Sequence, residues 1–390
     1  MKINIALKVC KAIIKVVGKK RQSLHEPFFG RKEIHYLKKS IKNNSVSTYG
    51  KETNKFENII KNFTGAKYVH AIINGSAAIH LSLYLAGINE DSEVLIPGLN
   101  YIASTNATIQ LKGTPHFIDV EEETLGPSTE KLENYLKKIT IIKNNKCINR
   151  NTKKIIKAIV VTHIFGHPCK LDKIIKICKK FKIELIEDAA EGLGSYFRKR
   201  HVGTFGTMGI ISFNGNKIIT TGGGGVILTN SKKLSKKIKL ISQNSKIPHK
   251  WKYEYAQLGF NYRMPSINAQ LGIAQMKNIN KFLSSKRKLY QKYYLIFKKF
   301  KDLRIMREPI NTKSNYWLQT IILNKPNNKI KNEILKITNS INIGTRPVWN
   351  VLNHNKYLKS YPNMNLDKSN ELAKRIINLP SGVALCQKKY

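Results

Sequence analysis

Acidic residues are scarce in this 390-residue chain: 24 Asp and Glu stand against 69 Lys and Arg, a formal net charge of +45 at pH 7. That imbalance invites a polyanion partner. The lysines, however, are spread over the whole length rather than gathered in one stripe, and they rise together with Ile and Asn. This reads as compositional drift of a solvated surface, so no specific nucleic-acid partner is expected, although a positive field favours an anionic substrate. Cysteine is sparse as well. The five (Cys10, Cys147, Cys169, Cys178 and Cys386) are odd in number, widely spaced and free of any CxxC pair. Such usage argues against a secreted disulfide framework and a zinc ribbon, and fits a reducing cytoplasm. Long apolar runs are missing too: none approaches the roughly 20 residues that span a bilayer, so no transmembrane segment is expected. Neither nucleotide-phosphate fingerprint occurs, since there is no GK[ST] and the glycines do not follow GxGxxG.

What is present is a globular composition, 41% hydrophobic and 9% aromatic, in a chain long enough to bury a core without staples. The first twenty residues, MKINIALKVCKAIIKVVGKK, set Lys8, Lys11, Lys15 and Lys19 on one helical face beside Val9, Ile13, Val16 and Val17. Their apolar runs are too broken for a signal peptide. A helix lying on a membrane and a helix packed on the body both fit, and the lack of Trp or Phe on the apolar side favours packing.

From residue 68 onward, short apolar runs alternate with helical periodicity. Strands are expected at 68–73, 93–96, 115–120, 157–163, 183–187, 209–213 and 225–229, with helices at 77–86, 104–111, 129–139 and 170–181. The run KAIVVTH is apolar without alternation, the mark of a strand buried on both faces. Alternation of this kind implies a largely parallel sheet covered by helices. The Asn- and Lys-rich segment 140–154 reads as a surface loop. After about residue 259 the character changes: a long lysine-rich helix at 267–300, a strand at 317–323, and helices at 328–339 and 368–377. The expected organisation is an N-terminal extension (1–24), a large α/β domain (25–265) and a small α+β domain (266–390).

In an open parallel sheet, ligands bind beyond the carboxyl ends of the strands. Four such ends carry unusual groups: Asn74-Gly75-Ser76-Ala77, Asn100-Tyr101, Asp188-Ala189-Ala190-Glu191, and Ser212-Phe213-Asn214-Gly215-Asn216-Lys217. The first is a strand, a tight turn and a helix start, suited to a phosphate or to a plain N-cap. Asp188 is either another cap or the counter-ion of a cationic ring nitrogen. Lys217 precedes the glycine run 222–225, where backbone can approach a flat ligand. A strand-end lysine, a strand-end Asp, a phosphate turn and an aromatic (Tyr101) make up the parts list for pyridoxal phosphate. His163 and His167 lie four apart at a strand end rather than on a helix, so no metal site is expected. His163 is a candidate for lining the cleft, His167 a loop residue. Arg346, in a Gly-Thr-Arg-Pro turn, is a candidate nucleotide-phosphate contact, since its planar fork suits paired oxygens. Trp317 and Trp349 read as packing residues.

The blocks NGSAAIHLSLYLAGI, EVLIPGLNYIASTNA, HFIDVEEETLG, HIFGHP, IEDAAEGLGS, GTFGTMGIISFNGNKIITTGGGG and LGFNYRMPSINAQLG, in this order, resemble the DegT/DnrJ/EryC1/StrS nucleotide-sugar aminotransferases from about residue 25 to 380. SFNGNKIITTGGGG, TRPVW and LHEP are closest to the branch called LegC. The resemblance implies the type I fold of pyridoxal-phosphate aminotransferases and a homodimer. It implies that Lys217 is the Schiff-base lysine and proton shuttle, and that Asp188 pairs with the pyridine nitrogen. Glu191 would sit near the cofactor's phenolic oxygen, Ser76, Ala77 and Ser212 would hold the phosphate, and Tyr101 would cover the ring. Asn261 and Arg263 would reach the cofactor of the neighbouring subunit. The implied reaction moves an amino group from glutamate to the C4 ketone of a nucleotide-linked 6-deoxy sugar. Two other readings stay open: a basic binding protein on the same fold, and an amino-acid aminotransferase.

Overall fold

A computed structural model describes residues 5–48 and 50–386 of the chain. Its main sheet is built from β1 (Tyr68–Ile72), β2 (Ser92–Pro97), β3 (Thr114–Ile118), β4 (Thr140–Lys143), β5 (Lys146–Asn149), β6 (Ile155–Thr162), β7 (Glu184–Asp188), and, past the short β8 (Tyr196–Phe197) and β9 (Arg200–His201), β10 (Met208–Ser212) and β11 (Gly225–Thr229). The spatial order is β1-β11-β10-β7-β6-β2-β3, with β4 and β5 as a hairpin on β6. The strands β3, β2, β6, β7 and β10 run parallel, whereas β11 is antiparallel to both of its neighbours. Along this path β11 is the one reversed strand, so β1, β2, β6, β7 and β10 all end on one edge. Every residue of β2, β10 and β11 is buried, as a sheet covered on both faces requires.

The segment 140–154, expected as loop, carries the β4–β5 hairpin instead. Asn144 and Asn145 both have positive φ (48° and 57°), the geometry of a two-residue hairpin turn that Asn tolerates. The long helix expected at 267–300 is two, Ser266–Met276 and Ile279–Phe297, broken where Asn278 leaves helical geometry (φ −107°, ψ 2°) and Glu33 accepts the side-chain amide of Gln275 at 2.8 Å. The helix expected at 368–377 stops at Ala373, because Ile376–Leu379 is needed as an inner strand.

That strand belongs to a second sheet. After β12 (Leu303–Ile305) and β13 (Thr312–Lys313) come β14 (Gln319–Leu323), β15 (Arg346–Pro347) and β16 (Ile376–Leu379), ordered antiparallel as β12-β14-β16-β15. Two apolar clusters result. The larger surrounds the main sheet; the smaller gathers Leu303, Ile305, Ile321, Leu323, Ile334, Ile377 and Leu379. The helix Ile279–Phe297 bridges them, giving Phe282 to the first and Leu289, Tyr293 and Phe297 to the second.

The leading helix, Ile5–Val17, is a packed one. Val9, Ile13 and Val17 enter the smaller cluster, and Gly18 caps the helix at φ 82° with its N–H on the Ile14 carbonyl. Among the described residues no helix is long and apolar enough to cross a membrane.

Candidate active site

The shared strand edge opens into a cavity of about 340 Å³. Its lining comes from five strand ends: Asn74, Gly75 and Ser76 after β1, Tyr101 after β2, Thr162 on β6, Asp188 and Glu191 on and after β7, and Ser212 with Lys217 on and after β10. The phosphate turn is shaped by close approach. Gly225, where β11 begins, would place a Cβ 3.0 Å from the carbonyl carbon of Asn74 and the amide of Gly75, so a side chain there would press on the backbone of the turn. The helix Gly75–Leu85 starts at this contact with Asn74 as its N-cap, the side chain accepting the Ala77 N–H at 2.8 Å. Ala77 was expected to hold a phosphate, but its amide is spent on this cap. The open donors of the first turn are the amides of Gly75 and Ser76, with the Ser76 hydroxyl beside them and the Ser212 side chain packed against Gly75.

Lys217 and the two carboxylates meet here. The Lys217 ammonium lies 3.5 Å from Glu191 Oε1 and 3.9 Å from the centre of the Trp317 ring. Glu191 fixes its second oxygen by accepting the Phe165 N–H at 2.7 Å. Burial drives the Glu191 carboxyl up to about 7, against the opposing pull of Lys217 and the Phe165 amide. Asp188 is 5% exposed and stands opposite Thr162 in the β6–β7 register. Its Oδ1 accepts the Ala190 N–H at 3.1 Å. Burial raises its pKa as well; the Ala190 amide, Lys217 and His163 offset only part of the penalty. A buried carboxylate in that condition is short of positive charge, and a ring nitrogen bearing a proton would supply it.

Several expected residues lie elsewhere. His163 does not line the cavity. It is fully buried behind Asp188, where Nδ1 accepts the Cys169 N–H (3.2 Å), leaving Nε2 to donate to Glu187 Oε2 at 3.1 Å. His167 is in a loop as expected but is buried, its ring edge-on to Tyr316. Arg346 is on the exposed strand β15, bound to Asn339 Oδ1 at 2.6 Å, and does not reach the cavity. Asn261 is exposed and Arg263 leans on Gln243 at 3.5 Å; neither lines the cavity of its own chain.

Two residues read as packing do line it. Trp317 faces Lys217, and Trp349 stands at the rim, 6.1 Å from the half-exposed ring of Tyr101 and 5.7 Å from that of Phe165. Asn214 and Asn216 complete the wall beside Lys217. A larger groove, about 610 Å³, runs past Glu122, Arg304 and Ile310. There Arg304 is paired with Glu122 at 2.7 Å, Glu123 with Lys170 and Glu308 with Arg287.

The family model described as the DegT/DnrJ/EryC1/StrS aminotransferase family matches residues 28–390. The GDP-perosamine synthase of Escherichia coli O157:H7 is 33% identical over 362 residues, covering 92% of each chain. The UDP-4-amino-4,6-dideoxy-N-acetyl-beta-L-altrosamine transaminase of Campylobacter jejuni is 29% identical over 292 residues, 75% of this chain and 73% of that one. Among solved structures, a Streptococcus pneumoniae protein in its PLP-form superposes with a TM-score of 0.82 at 18% identity, over 93% of this chain and 94% of that one.

Proposed function

The chain belongs to the DegT/DnrJ/EryC1/StrS aminotransferase family, whose cofactor is pyridoxal 5'-phosphate, and from that premise we propose that it aminates the C4 ketone of a nucleotide-linked 4-keto-6-deoxy sugar with glutamate as donor. The nucleotide in this reading is uridine diphosphate, as in the name of the Campylobacter jejuni relative, and the product feeds surface polysaccharide or nonulosonic-acid assembly. One observation carries the proposal: a part-buried lysine, two charge-poor carboxylates and the free first-turn amides of a helix converge on one cavity.

The residues fit the cofactor. The Gly75 and Ser76 amides and the Ser76 and Ser212 hydroxyls would hold its phosphate. Asp188 would hold a proton at the ring nitrogen, relieving its own burial penalty. When bound, pyridoxal phosphate supplies an electrophilic aldehyde and a ring that spreads the negative charge left when a proton leaves the adjacent carbon. Lys217 would anchor that aldehyde carbon and, once released, carry the proton between donor and acceptor carbons. Glu191, poised near neutrality and 3.5 Å from the amine, would take or return a proton to it. Asn261 and Arg263 would complete the site of a second copy, in a homodimer.

The test is an assay of the purified protein with glutamate and a panel of UDP-, GDP- and dTDP-linked 4-keto-6-deoxy sugars. The expected result is one 4-amino sugar and 2-oxoglutarate in equal amounts, with the UDP substrate preferred. Turnover with the GDP sugar alone overturns the nucleotide assignment. Full turnover with amino acids and 2-oxo acids, and none with sugars, overturns the substrate class.

A further inference from the structure

Trp317 comes from the C-terminal third of the chain, yet its ring centre is 3.9 Å from the Lys217 ammonium. Each of its polar atoms is held. The backbone N–H donates to Asn315 Oδ1 (2.8 Å), the indole N–H to the Asn216 carbonyl (2.7 Å), and the carbonyl accepts from Lys286 Nζ (2.6 Å). The holders are fixed in turn. Asn315 donates to the carbonyls of Glu191 (2.7 Å) and Leu193 (2.9 Å), which ties the tryptophan to the same turn that carries the carboxylate. Lys286, on the helix Ile279–Phe297, is fully buried and also donates to the Ser381 carbonyl. The indole N–H bond lands one residue before Lys217, so the ring is braced against the backbone of the lysine whose side chain it covers.

We propose that Trp317 is a positioning residue for Lys217, its ring face and the Glu191 carboxylate forming two walls that confine the amine to the path between cofactor and substrate. The ring face attracts the ammonium form electrostatically and excludes water from that side, while its braced backbone leaves it no rotation to lose. The C-terminal segment thereby completes a site whose acids and lysine all come from the main sheet. This rests on Lys217 being the cofactor lysine.

Trp317→Phe keeps a ring face and loses only the indole bond; Trp317→Leu keeps apolar bulk and loses the face. With Leu, the rate at which cofactor-free protein takes up added pyridoxal phosphate is expected to fall about tenfold, and the visible circular dichroism of the bound chromophore to fall by about half. Turnover should drop about tenfold with KM within about threefold of the unaltered enzyme. Trp317→Phe should restore all three to within about threefold. If the Leu protein does not fold, as read by far-ultraviolet circular dichroism, Trp317→Met takes its place. A folded Leu or Met variant matching the Phe variant in uptake rate and visible dichroism would overturn the proposal. Lys217→Ala, run alongside, separates the two failures: covalent uptake of pyridoxal phosphate by that variant would refute the assignment of Lys217 itself.

Discussion

Buried carboxylates at the two ends of the main sheet are treated in opposite ways. At the end away from the cavity, Glu93 is fully buried, but His116 donates to it at 2.7 Å and Asn149 and Thr152 bond it as well. Burial pushes its pKa up, and these partners outweigh the push, leaving it below the ordinary value. Glu187, one layer behind the cavity, is likewise held down by His163 and the amides of Gly203 and Gly206. Asp188 and Glu191 are as deeply buried, and both are held above their ordinary values because their partners are too few. The difference separates acids that hold the fold from acids that wait for a ligand. Asp188 follows Glu187 directly, so one residue of strand alternation turns a satisfied acid into an unsatisfied one.

Substitutions can break that contrast. Asp188→Asn should cost the most, about a thousandfold in turnover, because the amide cannot hold a proton at the ring nitrogen. Cofactor should still bind, and urea unfolding should show no loss of stability. Glu93→Ala should do the reverse. It leaves His116 buried without its acceptor, costing about 3 to 5 kcal/mol in urea unfolding while turnover of the surviving folded protein stays within about twofold. A Glu93 variant with normal stability and depressed turnover would erase the distinction.

Glu191→Gln sharpens the contrast through pH. The folded carboxyl titrates near 7, above its unfolded value, so the folded state holds a proton that the unfolded state has lost between those two values. Stability linked to Glu191 is therefore present at low pH and drains away as pH rises through 7, by roughly 1 to 3 kcal/mol. In cofactor-free protein the Gln variant should gain on the unaltered chain by that amount between pH 5 and pH 8. Parallel stability curves would contradict the assigned cause.

The strand ends were legible because turn chemistry is local. Asn74-Gly75-Ser76, the acid after β7 and the lysine after β10 announce themselves by neighbours in the chain, and the alternation of apolar runs sets the sheet that brings them together. The β4–β5 hairpin carried a signal in Asn144-Asn145 that its lysine-rich setting masked. Trp317 and Trp349 had no local signal, since only tertiary packing decides whether an aromatic next to an apolar strand faces the core or the cavity. His163 shows the converse: a strand-end histidine resembles a site residue until the fold supplies Glu187 on its far side. Arg346 points to the same lesson, its turn lying on the edge strand of the second sheet.

The central claim is that Lys217 is the amine that meets the cofactor in this cavity. Reduction of the pyridoxal-phosphate-loaded protein with borohydride, followed by peptide mass mapping, tests it most directly. The account predicts one phosphopyridoxyl group per chain, carried by Lys217; a stable label on a different lysine, or none, would contradict it.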